Sequence, residues 1–108
     1  MKIVLVCAAG MSTSLVVQRM KKEAADRQLD VEVIAIPMEE FEEQIQDASV
    51  VLVGPQVRFR LAEFEKKAKD YGVPVAVIDP RDYGMVNGAK ILDTALSLIG
   101  QRYRRDLG

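Results

Sequence analysis

The chain has 108 residues, which suits one domain with one hydrophobic core, and 49% of its residues are hydrophobic. Its 15 basic and 16 acidic residues give a formal net charge of −1, so the composition gives no indication of a nucleic-acid-binding surface. One cysteine and no histidine exclude an internal disulfide, a multi-cysteine metal site and histidine chemistry within the chain.

The N-terminal segment has neither the length nor the cleavage site of a signal peptide. No apolar run approaches the ~20 residues that a membrane-spanning helix requires. We therefore expect a soluble cytoplasmic protein made of one domain, residues 1–108, without a linker or an internal repeat.

The first part of the chain predicts a strand, a helix and a second strand. Residues 2–6 form a short, continuous, branched apolar run, which is typical of a strand covered on both faces. The buried face of the helix that follows is predicted to consist of Val16 or Val17, Met20 and Ala24. Residues 31–36 form the second strand, in which Glu32 favours an edge position, and Pro37 closes it.

The middle of the chain predicts a short acidic helix, a third strand and a third helix. The apolar side of the short helix consists of Met38, Phe41 and Ile45. Residues 50–53 are apolar throughout and form the third strand. The third helix is predicted to bury one stripe, made of Val57, Leu61, Phe64, Ala68 and Tyr71. Gly72 stops this helix, and Pro74 follows it.

The last part of the chain predicts a fourth strand, a loop and a long helix. Residues 75–78 form the strand, and residues 81–84 are predicted to be a loop. The buried stripe of the last helix is predicted to consist of Ile91, Leu92, Ala95, Leu98 and Ile99. The basic segment Arg102-Tyr103-Arg104-Arg105 is interpreted as the solvated end of this helix, where its arginines also suit the helix dipole.

The alternation of strands and helices predicts an α/β fold. Continuous apolar strands favour a four-stranded parallel sheet with helices on both faces and right-handed crossovers. We predict the strand order 2-1-3-4, with the switch point between strands one and three. Ligands of such sheets bind beyond the carboxyl ends of the strands at the switch point, so this edge is where we expect the functional site.

The single cysteine ends the first strand and therefore lies at that edge. Most lone cysteines are small buried hydrophobic residues, but Cys7 is followed by a loop of small residues and then by a helix. Backbone N–H groups of such a loop stabilise both a thiolate and an anion, so we predict a reactive thiol beside a phosphate site. The predicted phosphate-binding loop consists of Ala8, Ala9, Gly10, Met11, Ser12, Thr13 and Ser14.

Three further residues are candidates for the rim of the site, because they follow the third and fourth strands. Gln56, in Gly54-Pro55-Gln56, belongs either to the site or to a simple turn between a strand and a helix. Asp79 and Tyr83 are placed to reach the same rim, although Asp79 followed by proline is also a common turn.

The loop does not match several other phosphate-binding patterns. No Gly-Lys-Ser/Thr follows the first strand, and Gly10 is the only glycine there, which excludes a Walker loop and a dinucleotide fingerprint. Low-molecular-weight cysteine phosphatases have an arginine where this chain has Thr13, although Asp79 matches their general-acid dipeptide. A receiver domain needs acidic residues where this chain has Cys7 and Gly54.

Residues 4–15 resemble the phosphocysteine loop of the cellobiose-type IIB components of the bacterial sugar phosphotransferase system. Asparagine stands at position 87, where the pattern of that family has aspartate. The further segments that follow the family pattern are residues 51–57, residues 77–79, Tyr83-Gly84 and Asn87-Gly88. The resemblance covers nearly the whole chain and implies the fold of the low-molecular-weight tyrosine phosphatases.

The resemblance implies a phosphoryl carrier. A phosphohistidine of a IIA component would donate to Cys7, and Cys7 would pass the group to a sugar, such as cellobiose or another β-linked disaccharide, bound by the IIC permease. We expect no metal and no cofactor, and the resemblance implies that the protein associates peripherally with the membrane permease. We also expect a monomer, because the sequence leaves no large apolar stripe uncovered. A low-molecular-weight phosphatase and a non-catalytic regulatory module remain the alternatives.

Overall fold

Four parallel strands in the order β2-β1-β3-β4 form the centre of the fold, as the sequence predicts. The computed structural model describes residues 1–8 and 12–107, and of residues 12, 13 and 102–107 it describes the backbone only. The strands are β1 (Lys2–Cys7), β2 (Glu32–Pro37), β3 (Val50–Val53) and β4 (Val75–Val77). Because β2 and β3 flank β1 on opposite sides, the switch point lies beside β1, and β2 is an edge strand.

Helices cover both faces of this sheet. They are α1 (Ser12–Asp26), α2 (Phe41–Gln44), α3 (Leu61–Lys69), α4 (Pro80–Gly84) and α5 (Gly88–Leu107). Short 3₁₀ segments, Met38–Glu40 and Pro55–Arg60, precede α2 and α3. Over the described residues, none of the helices has the length and apolar character needed to cross a membrane.

The two faces of β1 belong to two separate hydrophobic cores. Ile3 and Leu5 pack with α1 and α5, whereas Val4 and Val6 pack with α2 and α3. All four side chains are 0% exposed. This explains why the strand is apolar at every position, since successive side chains point to opposite faces and both faces are covered.

The predicted helix stripes are confirmed for α1 and mostly confirmed for the other helices. The buried residues on them are Val16, Val17, Met20, Ala24, Phe41, Ile45, Phe64, Ala68, Ile91, Leu92, Ala95 and Ile99. Met38, Leu61 and Leu98 are only partly buried and pack against the two cores. Phe41 and Phe64 contact each other across α2 and α3, with ring centroids 4.6 Å apart.

Three sequence predictions need correction. Tyr71 is 42% exposed, because α3 ends before it and the chain turns away at Gly72. Val57 is buried but lies in the 3₁₀ segment before α3, where its φ of −119° breaks the helical geometry. Residues 81–84, predicted to be a loop, belong to α4, because Asp79 caps the start of this helix and Pro80 occupies its first turn.

The ends of α1 and α3 have the same local geometry but different residues. At the end of α1, Leu29 N–H donates to Ala24 O at 2.8 Å, and Gln28 adopts a positive φ of 58°. At the end of α3, Val73 N–H donates to Ala68 O at 3.1 Å, and a glycine takes the positive φ. Both ends are Schellman motifs, in which the left-handed position favours glycine over any residue with a Cβ.

We therefore expect opposite effects from exchanges at the two left-handed positions. Gln28→Gly should raise the free energy of unfolding by roughly 1 kcal/mol, because it relieves left-handed strain, and Gly72→Ala should lower it by roughly 1 kcal/mol. Urea unfolding followed by circular dichroism measures both. Equal effects of the same sign would show that the left-handed geometry does not decide the stability of these helix ends.

A close approach between α1 and α5 depends on Gly88. A Cβ atom at this position would lie 2.6 Å from the backbone carbonyl carbon of Arg19 and 2.8 Å from its oxygen. By contrast, a Cβ atom at Gly100, in the same helix, would meet nothing within 4 Å. The first turn of α5 can therefore pack against α1 only because residue 88 has no side chain.

These two glycines form a matched pair for mutagenesis. Gly88→Ala should lower the free energy of unfolding by about 1–3 kcal/mol, because the backbones of α1 and α5 must separate. Gly100→Ala should raise it by roughly 0.5–1 kcal/mol, because alanine favours a helix interior over glycine. Thermal and urea unfolding measure the difference, and a neutral Gly88→Ala would contradict the tight contact.

Candidate functional site

Cys7 lies at the carboxyl edge of the sheet, where the four strands end side by side. It is the last residue of β1 and stands opposite Pro37 of β2. On the other side, Gly54 N–H donates to Val6 O at 2.8 Å, which carries the pairing with β3 one residue past the strand. Cys7 therefore occupies the switch point, between the ends of the two flanking strands.

The thiol of Cys7 is mostly enclosed by its neighbours. The residue is 8% exposed, and its Sγ donates to the backbone oxygen of Ile36 at a sulfur–oxygen distance of 3.8 Å. Sulfur is a weak donor, so this contact orients the thiol rather than fixing it strongly. The structure thus gives Cys7 the burial of a small hydrophobic residue together with a polar contact at a strand end.

The N-terminus of α1 follows Cys7 after a short connection. The helix begins at Ser12, and its first turn contains no acidic residue. Because the N-terminal N–H groups of a helix carry partial positive charge, this end favours an anion. Ala8 and Ser14 are exposed. Ala9, Gly10 and Met11 lie outside the described residues, as do the side chains of Ser12 and Thr13.

Gln56 is brought back towards Cys7 by the turn that follows β3. Gly54 O accepts from Val57 N–H at 3.0 Å, and Val57 is buried in the core, so the turn is anchored at both ends. A Cβ atom placed on Gly54 would lie 3.1 Å from the Oε1 atom of Gln56 and 3.8 Å from the Cβ atom of Cys7. The carboxamide of Gln56 and the Cys7 side chain therefore border the same space.

Asp79 has a structural role that the sequence did not reveal. Its Oδ1 accepts from the backbone N–H of Arg81 at 2.7 Å, which caps the N-terminus of α4. The residue is exposed and follows β4, so it lies at the carboxyl edge of the sheet but its carboxylate is used by its own helix.

Tyr83, the third candidate for the rim of the site, is a buried residue of α4. It is 8% exposed and belongs to the core formed with α1 and α5, where Ile78 is also buried. Its ring therefore helps to pack α4 against the core that α1 and α5 form.

Exposed apolar side chains follow three of the four strand ends. Leu15 in the first turn of α1 is 45% exposed, Phe59 after β3 is 77% exposed, and Met85 after α4 is 72% exposed. Exposed residues of this size are candidates for contact with another protein when they lie on one side of a molecule. All three belong to segments that leave the carboxyl edge of the sheet.

A shallow cavity of about 840 Å³ lies at the opposite edge, away from Cys7. It is bordered by α3, the start of β4 and the middle of α5, including Lys66, Val75 and Gln101. Among the described residues, no group of three acidic, cysteine or histidine side chains is arranged to hold a metal ion. Cys7 and the other candidate site residues do not line this cavity.

A family model described as the lactose/cellobiose-specific IIB subunit of the phosphotransferase system matches residues 2–94. The chain belongs to this family. The match includes Cys7 and all four strands of the sheet.

Known relatives agree with this assignment over nearly their whole length. The oligo-beta-mannoside-specific EIIB component of Bacillus subtilis (strain 168) is 42% identical over 91% of this chain and 95% of its own. The cellobiose-specific EIIB component of Lactococcus lactis subsp. lactis (strain IL1403) is 44% identical over 90% and 94%. The solution structure of the cellobiose-specific phosphotransferase IIB component protein from Borrelia burgdorferi has a TM-score of 0.80 and 38% identity, covering 94% of each chain.

The family's fold is the one predicted from the sequence, including its likeness to low-molecular-weight phosphatases. The departure from the family pattern at position 87 has a simple structural explanation. Asn87 Oδ1 accepts from Lys90 N–H at 3.2 Å and caps α5. Asparagine and aspartate are equally good in this role, so the exchange keeps the helix start intact.

Two features of the site gave no clear signal in the sequence. The contact of the thiol with Ile36 uses a backbone oxygen, which any residue provides. The space beside Gly54 depends on a missing Cβ atom, which the sequence of a turn between a strand and a helix does not indicate. Pro37, which closes β2 opposite Cys7, was the one local indication of where this strand ends.

The cap made by Asp79 leads to a test of its role. Asp79→Ala should lower the free energy of unfolding by about 1 kcal/mol, whereas Asp79→Asn should leave it nearly unchanged, because asparagine also caps helices. Urea unfolding measures this difference. Hydrolysis of an aryl phosphate by both variants and by the unchanged protein provides the second measurement. A loss of hydrolysis in Asp79→Asn, without a loss of stability, would instead assign a general-acid role to this residue.

Proposed function

We propose that Cys7 carries a phosphoryl group between two partner proteins of a sugar phosphotransferase system. In the first step, the sulfur of Cys7 attacks the phosphorus of a phosphohistidine, the P–N bond breaks, and the thiol proton replaces the phosphoryl group on the imidazole. In the second step, a sugar hydroxyl attacks the phosphocysteine, the P–S bond breaks, and the hydroxyl proton returns to the sulfur. Both steps balance without a cofactor.

The position of Cys7 is the observation that carries this proposal. It ends the central strand at the switch point and precedes a helix N-terminus that has no acidic residue in its first turn. Fixed backbone dipoles at such a place stabilise the charge on a phosphoryl group in transfer. The backbone N–H groups of residues 8–14, with the hydroxyl groups of Ser12, Thr13 and Ser14, are proposed to hold its oxygens.

The donor and the acceptor are proposed to be the IIA component and the IIC permease. The chain contains no histidine, so a phosphohistidine donor has to belong to another protein. The exposed Leu15, Phe59 and Met85 offer apolar contacts at the edge where both partners would approach the thiol. We propose that the protein acts as a monomer in the cytoplasm and binds peripherally to the permease.

The proposed sugar is a β-linked disaccharide such as cellobiose. The name of one relative specifies cellobiose and that of another specifies oligo-beta-mannosides, and the two are 44% and 42% identical to this chain. Such similar identities do not distinguish one sugar from the other. We propose that the permease, which binds the sugar directly, determines the choice.

Fast hydrolysis of the phosphocysteine is not part of the proposal. Thr13 occupies the position at which the related phosphatases have arginine, and Asp79, the candidate general acid, caps α4. An arginine would clamp the equatorial oxygens of the transferring group through two parallel hydrogen bonds. A site without it suits a carrier, which has to release the group to a second partner.

Intact-mass spectrometry after incubation with a phosphorylated IIA component tests the proposal directly. We expect the unchanged protein to gain the mass of one phosphoryl group and Cys7→Ser to gain none. Addition of membranes that contain a cellobiose permease and its sugar should then remove the added mass. Circular dichroism of Cys7→Ser provides the control for folding. Phosphorylation of the serine variant at another residue, or no mass gain in either protein, would contradict the carrier function.

A further inference from the structure

The space between Gly54 and Cys7 is the most specific feature of the site that the proposed function does not yet use. A Cβ atom on Gly54 would lie 3.3 Å from Val6 O and 3.1 Å from Oε1 of Gln56. Both separations are tighter than ordinary van der Waals contact, so any side chain at position 54 would fill this space. Gly54 has an ordinary φ of −61°, so its backbone conformation does not require glycine. Glycine is required instead because Val6 O and Gln56 Oε1 lie too close to the place of a Cβ atom.

The Gln56 side chain borders this space on the solvent side. Pro55 precedes it in the first turn of the 3₁₀ segment, and the buried Val57 follows it, so its backbone is held between two restricted residues. Gln56 itself is exposed, and the loss of its carboxamide would remove no core contact. The backbone of Gln56 is therefore restrained, and its carboxamide lies beside the space next to Cys7.

The chemistry of a carboxamide suits a phosphoryl group that has to be passed on. Its NH₂ group offers two hydrogen-bond donors without a net charge, and rotation about the Cγ–Cδ bond presents either the nitrogen or the oxygen. A hydrogen bond from a neutral donor to a charged oxygen is favourable, but it lacks the bidentate charge pairing of an arginine. It orients the phosphoryl group while leaving it transferable.

We propose that Gln56 donates a side-chain N–H to the phosphoryl group on Cys7 and that Gly54 keeps open the space in which this contact forms. This proposal rests on the proposed phosphocysteine function. It assigns to Gln56 a direct contact with the transferred group, on the side opposite the β2 strand whose Ile36 oxygen faces the sulfur.

The first test compares Gln56→Met with Gln101→Met. Methionine keeps the length of the side chain but removes the N–H donor, and Gln101 is an exposed glutamine at the opposite edge of the sheet. Gln56→Met should slow phosphoryl transfer from the IIA component roughly tenfold, as expected for the loss of a hydrogen bond to a charged group. Gln101→Met should transfer at the unchanged rate, and both should unfold at the same temperature as the unchanged protein.

Two further measurements separate contact with the phosphoryl group from an effect on the thiol or the fold. Alkylation of Cys7 by the neutral reagent iodoacetamide should proceed at the same rate in Gln56→Met and in the unchanged protein. In NMR spectra, the side-chain NH₂ signals of Gln56 should move downfield on phosphorylation, and the ³¹P signal of the phosphocysteine should shift in Gln56→Met. If the chemical shifts of the Gln56 NH₂ group do not change on phosphorylation, the proposal is overturned.

Gly54→Ala tests the space independently. Its methyl group should displace the carboxamide, so transfer should slow while alkylation by iodoacetamide continues. If both residues act through one contact, the double variant Gly54→Ala/Gln56→Met should be no slower than Gly54→Ala alone. If the fold-loss in transfer rate of the double variant equals the product of the two single fold-losses, the two residues do not act through one contact.

The failure of this proposal can be told apart from the failure of the carrier function. Formation of the phosphocysteine at the normal rate in Gln56→Met would overturn this proposal alone. The absence of a phosphocysteine in the unchanged protein would overturn the carrier function as well.

Discussion

The burial of β1 between two flanking strands and two helical layers is the constraint on which the site depends. Its residues Ile3, Val4, Leu5 and Val6 are 0% exposed, and burial of each such side chain contributes about 1.5–3 kcal/mol. A shift of the strand by one residue would exchange its two faces and move every one of these side chains into the other core. The register of β1 in the sheet is therefore fixed. This register also places Cys7 one residue beyond Val6, which forms the last pair with β3.

In the proposed function, partial charges rather than a cation stabilise the phosphoryl group on Cys7. The helix N-terminus contributes the equivalent of roughly half a positive charge, spread over several N–H groups. In the proposed function, this distributed field has to stabilise the phosphoryl group in two steps, its transfer onto the Cys7 sulfur and its transfer from the sulfur to the sugar. A strong clamp would favour the loaded state over release, so neutral donors such as backbone amides and the Gln56 carboxamide suit a carrier.

The opposite edge of the sheet is held by polar contacts that have no role in the proposed chemistry. Lys2 Nζ donates to Asp47 Oδ1 at 2.8 Å and to Gln44 O at 3.2 Å, and Lys2 O accepts from Ser49 N–H at 2.8 Å. The hydrogen bond from Lys2 lowers the pKa of the Asp47 carboxyl below its ordinary value. Its stabilising effect is therefore present at neutral pH and is lost as the pH falls through that lowered value. Exposed pairs of this kind contribute little compared with the buried strand.

The amino-acid sequence by itself determined the order of the elements, the parallel sheet and the place of Cys7 at a strand end. These depend on apolar runs and turn residues that act over a few positions, such as Gly72, and on the resemblance of residues 4–15 to a family. Only the tertiary structure decided that Gly54 leaves a space beside the cysteine and that Tyr83 turns into the core. Such features arise where segments distant in the chain meet, and neither an absent Cβ atom nor the direction of a single ring leaves a periodic signal in the sequence.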